Sequence, residues 1–140
     1  CLIRSYQETK TLRTPLLRDQ YAIVRNLIEG FRKGELKPSE VFDSKKLASG
    51  LALIDLTGHH HATVLDNLKF YYNPITSLIE PIIYDNQHFL NLEAQGLLGE
   101  HKTPGERKEV LEATLSNSYW YQHLFNDEIF FRDFRNIIVN

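Results

Sequence analysis

The stretch Leu47-Ala48-Ser49-Gly50-Leu51-Ala52-Leu53-Ile54 is apolar on nearly every side when wound at helical pitch. A helix of that kind has no face to spare for water, so it belongs in the middle of a domain with other elements packed around it. Asp43 supplies an N-cap for it, and Gly58 stops it after Leu56 or Thr57. Ser49 and Gly50 predict close approach of a neighbour at mid-helix. Everything else in the chain has to fold around this segment.

Upstream, residues 1–13 carry little pattern and read as a weakly structured lead-in. Thr14-Pro15 reads as a helix start, a hydroxyl cap followed by a ring already fixed at helical φ. Leu17, Tyr21, Val24, Leu27, Ile28 and Phe31 then recur at three- and four-residue spacing, which predicts an amphipathic helix ending near Gly34. Lys37-Pro38-Ser39 reads as a break.

Downstream, the period changes. Over residues 63–72, Val64, Leu68, Phe70 and Tyr72 fall on one face, and Leu65, Asn67, Lys69 and Tyr71 on the other. Residues 73–77 have turn chemistry. Residues 78–85 are rich in β-branched side chains, with Pro81 holding that strand to an edge or bulge. The pattern predicts a β-hairpin with a five-residue loop and Tyr72 opposite Leu78. Residues 86–102 read as a loop with at most a short helix around Leu92–Leu97. Thr103-Pro104-Gly105-Glu106 opens a helix to about Ser116. Ser118 to Phe125 reads as a short aromatic helix. Asn126 or Asp127 caps a last one with Ile129, Phe130, Phe134, Ile137 and Ile138 as its apolar face. The sum is α+β and mainly helical: two helices, a hairpin, then two or three helices in one domain, or the C-terminal part of a larger one.

Composition removes several function classes. With 16 basic against 18 acidic residues the net charge is −2, so nothing drives the chain onto a phosphate backbone and nucleic acid is not an expected partner. Apolar runs fall far short of the roughly 20 residues of a membrane span. A single cysteine, Cys1, excludes an internal disulfide framework and a cysteine-based zinc site. No Gly-x-Ser-x-Gly elbow supports a serine hydrolase. The chain opens on Cys1 and contains no methionine, and its C-terminal end is heavily aromatic. These features lead us to expect a piece of a larger protein whose packing partners include upstream sequence.

In the expected register Asn67 faces Ile83 and Asp85 faces Leu65. Asn67 and Asp85 then share a face on a diagonal, about 7–8 Å apart at Cα. Two oxygen donors at that spacing suit a hard cation such as Mg²⁺, which keeps waters and takes phosphate oxygens for the rest. An Asn ahead of a short hairpin and an Asp at its exit is also how a protein-kinase core holds its metals. The plainer alternative is that Asn67 bonds local backbone and Asp85 ends a strand at a turn.

The segments Asp55-Leu-Thr-Gly-His-His-His61, Asp66-Asn67-Leu-Lys-Phe-Tyr-Tyr-Asn-Pro74 and Glu80-Pro-Ile-Ile-Tyr-Asp85 resemble the central part of the spore coat protein H (CotH) kinase family. Gly34-Glu-Leu-Lys-Pro-Ser-Glu-Val-Phe-Asp43 resembles what precedes that core in some members. The resemblance covers about residues 30–90. It implies an atypical kinase-like fold that transfers phosphate from ATP, with Mg²⁺, to serine or threonine of a coat or envelope protein. It also implies a bacterial setting in the spore coat, envelope or outside the cell, and Asn67 and Asp85 as metal ligands. The family's base, an Asp about five residues before the metal Asn, is replaced here by Ala62. A Trp-Asp-x-Asp motif common in the family reads Ile83-Tyr84-Asp85-Asn86. His61, Asp55 and Asp66 are candidate stand-ins near the acceptor hydroxyl, with His61 titrating near neutral pH and Asp66 set on the opposite face from Asn67 by strand alternation. No glycine-rich phosphate loop and no strand lysine of the kinase type appears. The resemblance therefore implies a C-lobe lacking its N-lobe and inactive alone. A non-catalytic, pseudokinase-like interaction domain using the aromatic C-terminal helices is the alternative.

Three further features have competing readings. In His59-His60-His61, His59 and His61 share a side if extended, and His88 or His101 would complete a zinc or nickel site; otherwise the run is a polar loop at a helix C-terminus. Asp55, inside an apolar run, needs a partner and either orients His59 or the following backbone, or takes part in catalysis. The aromatic residues of 119–134 form either a docking surface or core.

Overall fold

A computed structural model describes residues 3–57, 67–83, 120–121 and 123–139. Its elements are α1 (Glu8–Arg13), α2 (Pro15–Arg32), α3 (Pro38–Val41), α4 (Ser44–Thr57), β1 (Lys69–Asn73), β2 (Leu78–Ile82) and α5 (Glu128–Val139). Residues 120–121 and 123–126 are helical as well. The architecture is mainly helical α+β, as the sequence predicts.

The helix boundaries follow local chemistry. Pro15 opens α2, although the Thr14 side chain makes no capping bond. At its far end Gly34, at φ 73, completes a Schellman cap. Glu35 N–H donates to Gly30 O at 2.8 Å and Gly34 N–H to Phe31 O at 3.0 Å. Asp43 caps α4, its Oδ1 accepting from Lys46 N–H at 3.1 Å. Asp127 rather than Asn126 caps α5, accepting from Phe130 N–H at 2.8 Å.

Two stretches differ from expectation. Within residues 1–13, Glu8–Arg13 is a helical turn and a half, and the Tyr21 hydroxyl donates to Ile3 O at 2.8 Å, tying the lead-in to α2. The break at Lys37-Pro38-Ser39 opens the one-turn helix α3, with Pro38 at its first position and Lys37 N–H donating to the Glu40 carboxylate at 2.7 Å.

α4 sits where its sequence demands. Leu47, Ala48, Gly50, Leu51, Ala52 and Ile54 are buried. Ser49 and Leu53 are exposed, so one edge of the helix opens outward. α5 packs along α4, with Phe130 and Phe134 inward; Ile129 and Ile137, expected on the same apolar face, are exposed instead. Most of the described aromatic residues of 120–134 are core: Trp120, Tyr121, Phe130 and Phe134 are buried, while Phe131 is 48% exposed. Phe31, Phe42 and Trp120 meet edge to face with centroids 4.7–5.3 Å apart. Phe125, Phe130 and Phe134 form a second cluster at 5.0–6.2 Å. The sequence could not assign these rings to a surface or an interior; they pack chiefly on one another.

β1 and β2 pair antiparallel, and the register corrects the expected one by a residue. Tyr72 lies opposite Ile79, and Asn73 opposite Leu78. The loop is therefore four residues, 74–77. Asn73 is responsible. Its Oδ1 accepts Ile75 N–H at 3.0 Å and Thr76 N–H at 3.5 Å, which closes the turn one residue later than the alternation alone suggests. The described ladder of β1 begins at Lys69, with Asn67 and Leu68 outside it; residues 63–66 of the expected strand lie outside the described residues. Phe70 and Tyr72 lean into the core with Ile79, while Lys69 and Tyr71 face out. The outer edge of β2 is covered: Phe42 makes a parallel bridge to Ile79.

The expected loop over 86–102 and the helix from Thr103 to Ser116 lie outside the described residues.

Candidate functional site

The open end of the hairpin is where the sequence places metal chemistry. Asp85 and His61 lie outside the described residues, as do Ala62, Asp66, His59, His60, His88 and His101. Asp55 belongs to the backbone of α4; its side chain lies outside the described residues. Asn67 is therefore the one predicted site residue whose surroundings can be described.

Asn67 sits in a turn ahead of β1 and is half-buried. Because it precedes the ladder, strand alternation does not fix its side. It lines a small cleft together with Leu51 and Ile54 of α4 and with Leu68, Pro81 and Ile83. The observed register does not oppose Asn67 to Ile83, so the pairing that would set Asn67 and Asp85 on one face is lost; Asn67 and Ile83 both border this cleft. Its volume is about 20 Å³, room for about one water. Small-molecule pockets run to about 300–1,000 Å³, so this cleft is too small to enclose a nucleotide. Among the described residues no group of three or more His, Cys, Asp or Glu side chains could hold a metal ion.

Gly50 is what lets the hairpin lie this close. A Cβ there would stand 2.5 Å from Ile83 Cδ1 and 3.7 Å from Pro81 Cγ. The close approach expected at mid-helix is thus made at Gly50, against β2, while Ser49 faces outward.

A polar cluster that the sequence did not reveal lies on the outer side of the hairpin. Glu80 Oε1 receives Lys46 Nζ at 2.8 Å and Asn73 Nδ2 at 2.8 Å. Asp43 Oδ2 stands 3.5 Å from the same ammonium. The hydrogen bond from Lys46, then that from Asn73, holds the Glu80 carboxyl below its ordinary range. The bond to Glu80 raises Lys46 in turn, with Asp43 adding to it. The sequence signal available was Asn73 and Glu80 on one hairpin, but only the true register makes them diagonal neighbours on one face.

By architecture, then, the described residues define a mainly helical α+β domain with a two-stranded ribbon laid against a central helix. No protein-family model, no curated protein and no solved structure matches the chain. Among the described residues no helix is long and apolar enough to cross a membrane.

Proposed function

We propose that this chain is the C-lobe part of an atypical, CotH-like protein kinase. In the intact protein it transfers the γ-phosphoryl group of ATP to a serine or threonine hydroxyl of a protein substrate. One observation carries the reading furthest: Asn67 and Ile83, which precede and follow the paired strands, border one cleft at the open end of the hairpin. Asp85 is two residues beyond Ile83. A side-chain amide and a carboxylate bracketing a short ribbon are what Mg²⁺ and the phosphates of ATP require from a kinase C-lobe.

The chemistry is positioning and charge neutralisation. Asn67 and Asp85 would hold Mg²⁺, which would supply charge neutralisation for the phosphates, and His61 or Asp55 would accept or orient the acceptor proton in place of the residue missing at Ala62.

The test is Mg²⁺-dependent stabilisation of the intact protein by ATP. A ligand at a hundred times its Kd adds about 2.7 kcal/mol. Wild type gains this stabilisation, and Asp85→Ala and Asn67→Ala lose it. No shift in wild type, or an equal shift in Asp85→Ala, ends the kinase reading. Ala62 favours a second reading, a degenerate kinase fold that binds a protein without catalysis. That reading predicts a folded protein indifferent to Mg²⁺ and ATP.

A further inference from the structure

The two outer edges of the hairpin are not alike. In an antiparallel ladder, opposed residues alternate between pairs that exchange both hydrogen bonds and pairs whose N–H and C=O point away from the partner strand. Ile79 O accepts from Asp43 N–H on the far side of β2, so Ile79 is of the second kind. Pro81, two residues on, is of the same kind, and its missing N–H costs the ladder nothing. The Phe42 bridge, the Asp43 bond and this proline therefore close the outer edge of β2.

The same alternation fixes β1. Tyr72 lies opposite Ile79 and Phe70 opposite Pro81, so the N–H and C=O of Phe70 and Tyr72 point away from β2. No described residue hydrogen-bonds to them there, and no other described element runs along β1. Apart from the charge of Lys69, β1 has none of the devices that blunt an edge: no proline, no bulge, no described covering segment. A row of unpaired backbone groups of this kind accepts another strand.

We propose that the edge of β1 is an interface between two copies of this chain, paired antiparallel about Tyr71 into a four-stranded sheet. The strand is complementary to itself in that register. Phe70 stands opposite Tyr72 of the second copy, so the outward N–H and C=O of each meet their counterparts, and the two-fold axis repeats the pair. Tyr71 meets its own copy in a non-hydrogen-bonded pair, with Cα atoms about 4.5 Å apart, where facing rings pack closest. Tyr71 is 53% exposed and Ile82, on the same outer face, 48%, so both have apolar surface left to bury. Lys69 falls opposite Asn73, and no like charges oppose. Sliding one copy by two residues sets Phe70 against Pro74, which has no N–H, or Tyr72 against Leu68, which lies outside the ladder. Five residues a side is short of the roughly 20–30 of a standard interface, so the dimer dissociates on dilution. None of this depends on the phosphotransfer reading.

The test is sedimentation and amide hydrogen exchange of the full chain over a dilution series reaching about 1 mM, a weak but measurable affinity. A monomer–dimer equilibrium is expected. Exchange at Phe70 and Tyr72 slows as concentration rises, while Tyr71 N–H, which faces β2, is unaffected. Tyr71→Lys alters an exposed side chain and sets like charges opposite each other at the axis; both the dimer and the concentration dependence are lost. Tyr71→Phe keeps them. A monomer throughout the series, with fast exchange at Phe70 and Tyr72, overturns the proposal and leaves the edge to a strand of another protein. Slow exchange at both amides at every dilution overturns it too, because the chain then covers its own edge. A dimer in which these two amides do not change, or one that survives Tyr71→Lys, uses another surface and equally ends the proposal.

Discussion

The backbone N–H of Asp43 donates to the carbonyl of Ile79 across 3.0 Å. The same aspartate caps α4 through Lys46 N–H. One residue thus starts the central helix and docks the second strand of the hairpin onto it. Ile79 has no exposed surface, and the bond spares its buried carbonyl from going unpaired. Hairpin and helix are therefore expected to respond together to perturbation.

Gly50→Ala tests the closest approach between them. Removing a helix glycine gains about 1 kcal/mol, but the new methyl meets Ile83 Cδ1 at 2.5 Å and Cγ1 at 3.3 Å. Overpacking of that kind costs about 1–3 kcal/mol, so the substitution is expected to destabilise. Ile83→Val removes Cδ1. In that background Gly50→Ala is expected to stabilise instead, read as a reversal of sign in urea unfolding midpoints.

Ser77 takes φ 58 at the hairpin turn, where glycine is favoured. Relief of the left-handed conformation is worth about 1–2 kcal/mol, against about 0.4–1 kcal/mol of extra unfolded-state freedom for glycine. Ser77→Gly is expected to stabilise by about 0.5–1 kcal/mol. Gly34→Ala, at φ 73 in the Schellman cap, is expected to lose a similar amount. Thermal unfolding of the pair checks both signs.

Acid is expected to weaken the contacts of Glu80 with Lys46 and Asn73. A carboxyl lowered from 4.5 contributes stability that is fully present above 4.5 and is lost as pH falls through the lower folded-state value. Lys46, raised from 10.5, contributes below 10.5 and loses that contribution as pH climbs through its raised value. Urea midpoints followed from about pH 6 to about pH 3 are expected to fall less steeply in Glu80→Gln than in wild type. The difference shrinks in high salt, because the Lys46 side chain is 54% exposed. Parallel curves for the two proteins would contradict the assignment.

Phe31 joins α2 to the hairpin side of the core, edge-on to Phe42 at 5.3 Å and to Trp120 at 4.7 Å. Phe31→Ala is expected to cost about 3–5 kcal/mol. Trp120 is the only tryptophan, so its fluorescence reports this contact directly. Its emission is expected to shift to longer wavelength in the variant before global unfolding.

What the sequence determined by itself was local. Pro15 and Gly34 bound α2, Asp43 caps α4, Asn126-Asp127 marks the start of α5, and the largely apolar run of 47–54 marks the central helix. Each signal lies within a turn or two of its effect. The inward positions Leu17, Tyr21, Val24, Leu27, Ile28 and Phe31 were likewise legible, because helical periodicity sorts a face without knowing what it meets. The tertiary structure decided the rest. A one-residue slip exchanges the two faces of β2: the expected pairing would turn Leu78, Glu80 and Ile82 to the side of Phe70 and Tyr72, whereas the observed one, with Asn73 closing the turn and reaching Glu80, puts Ile79, Pro81 and Ile83 there. Leu53 and Ser49 face outward because α5 and β2 cover the other sides of α4. Trp120 is buried because α2, some ninety residues earlier, supplies Phe31. Glu80 reads as one more charged residue until folding carries Lys46 over the edge of β2 to meet it. Register, exposure and partnership are energies of contact between distant segments, and the order of residues along a chain encodes them only through the packing it produces.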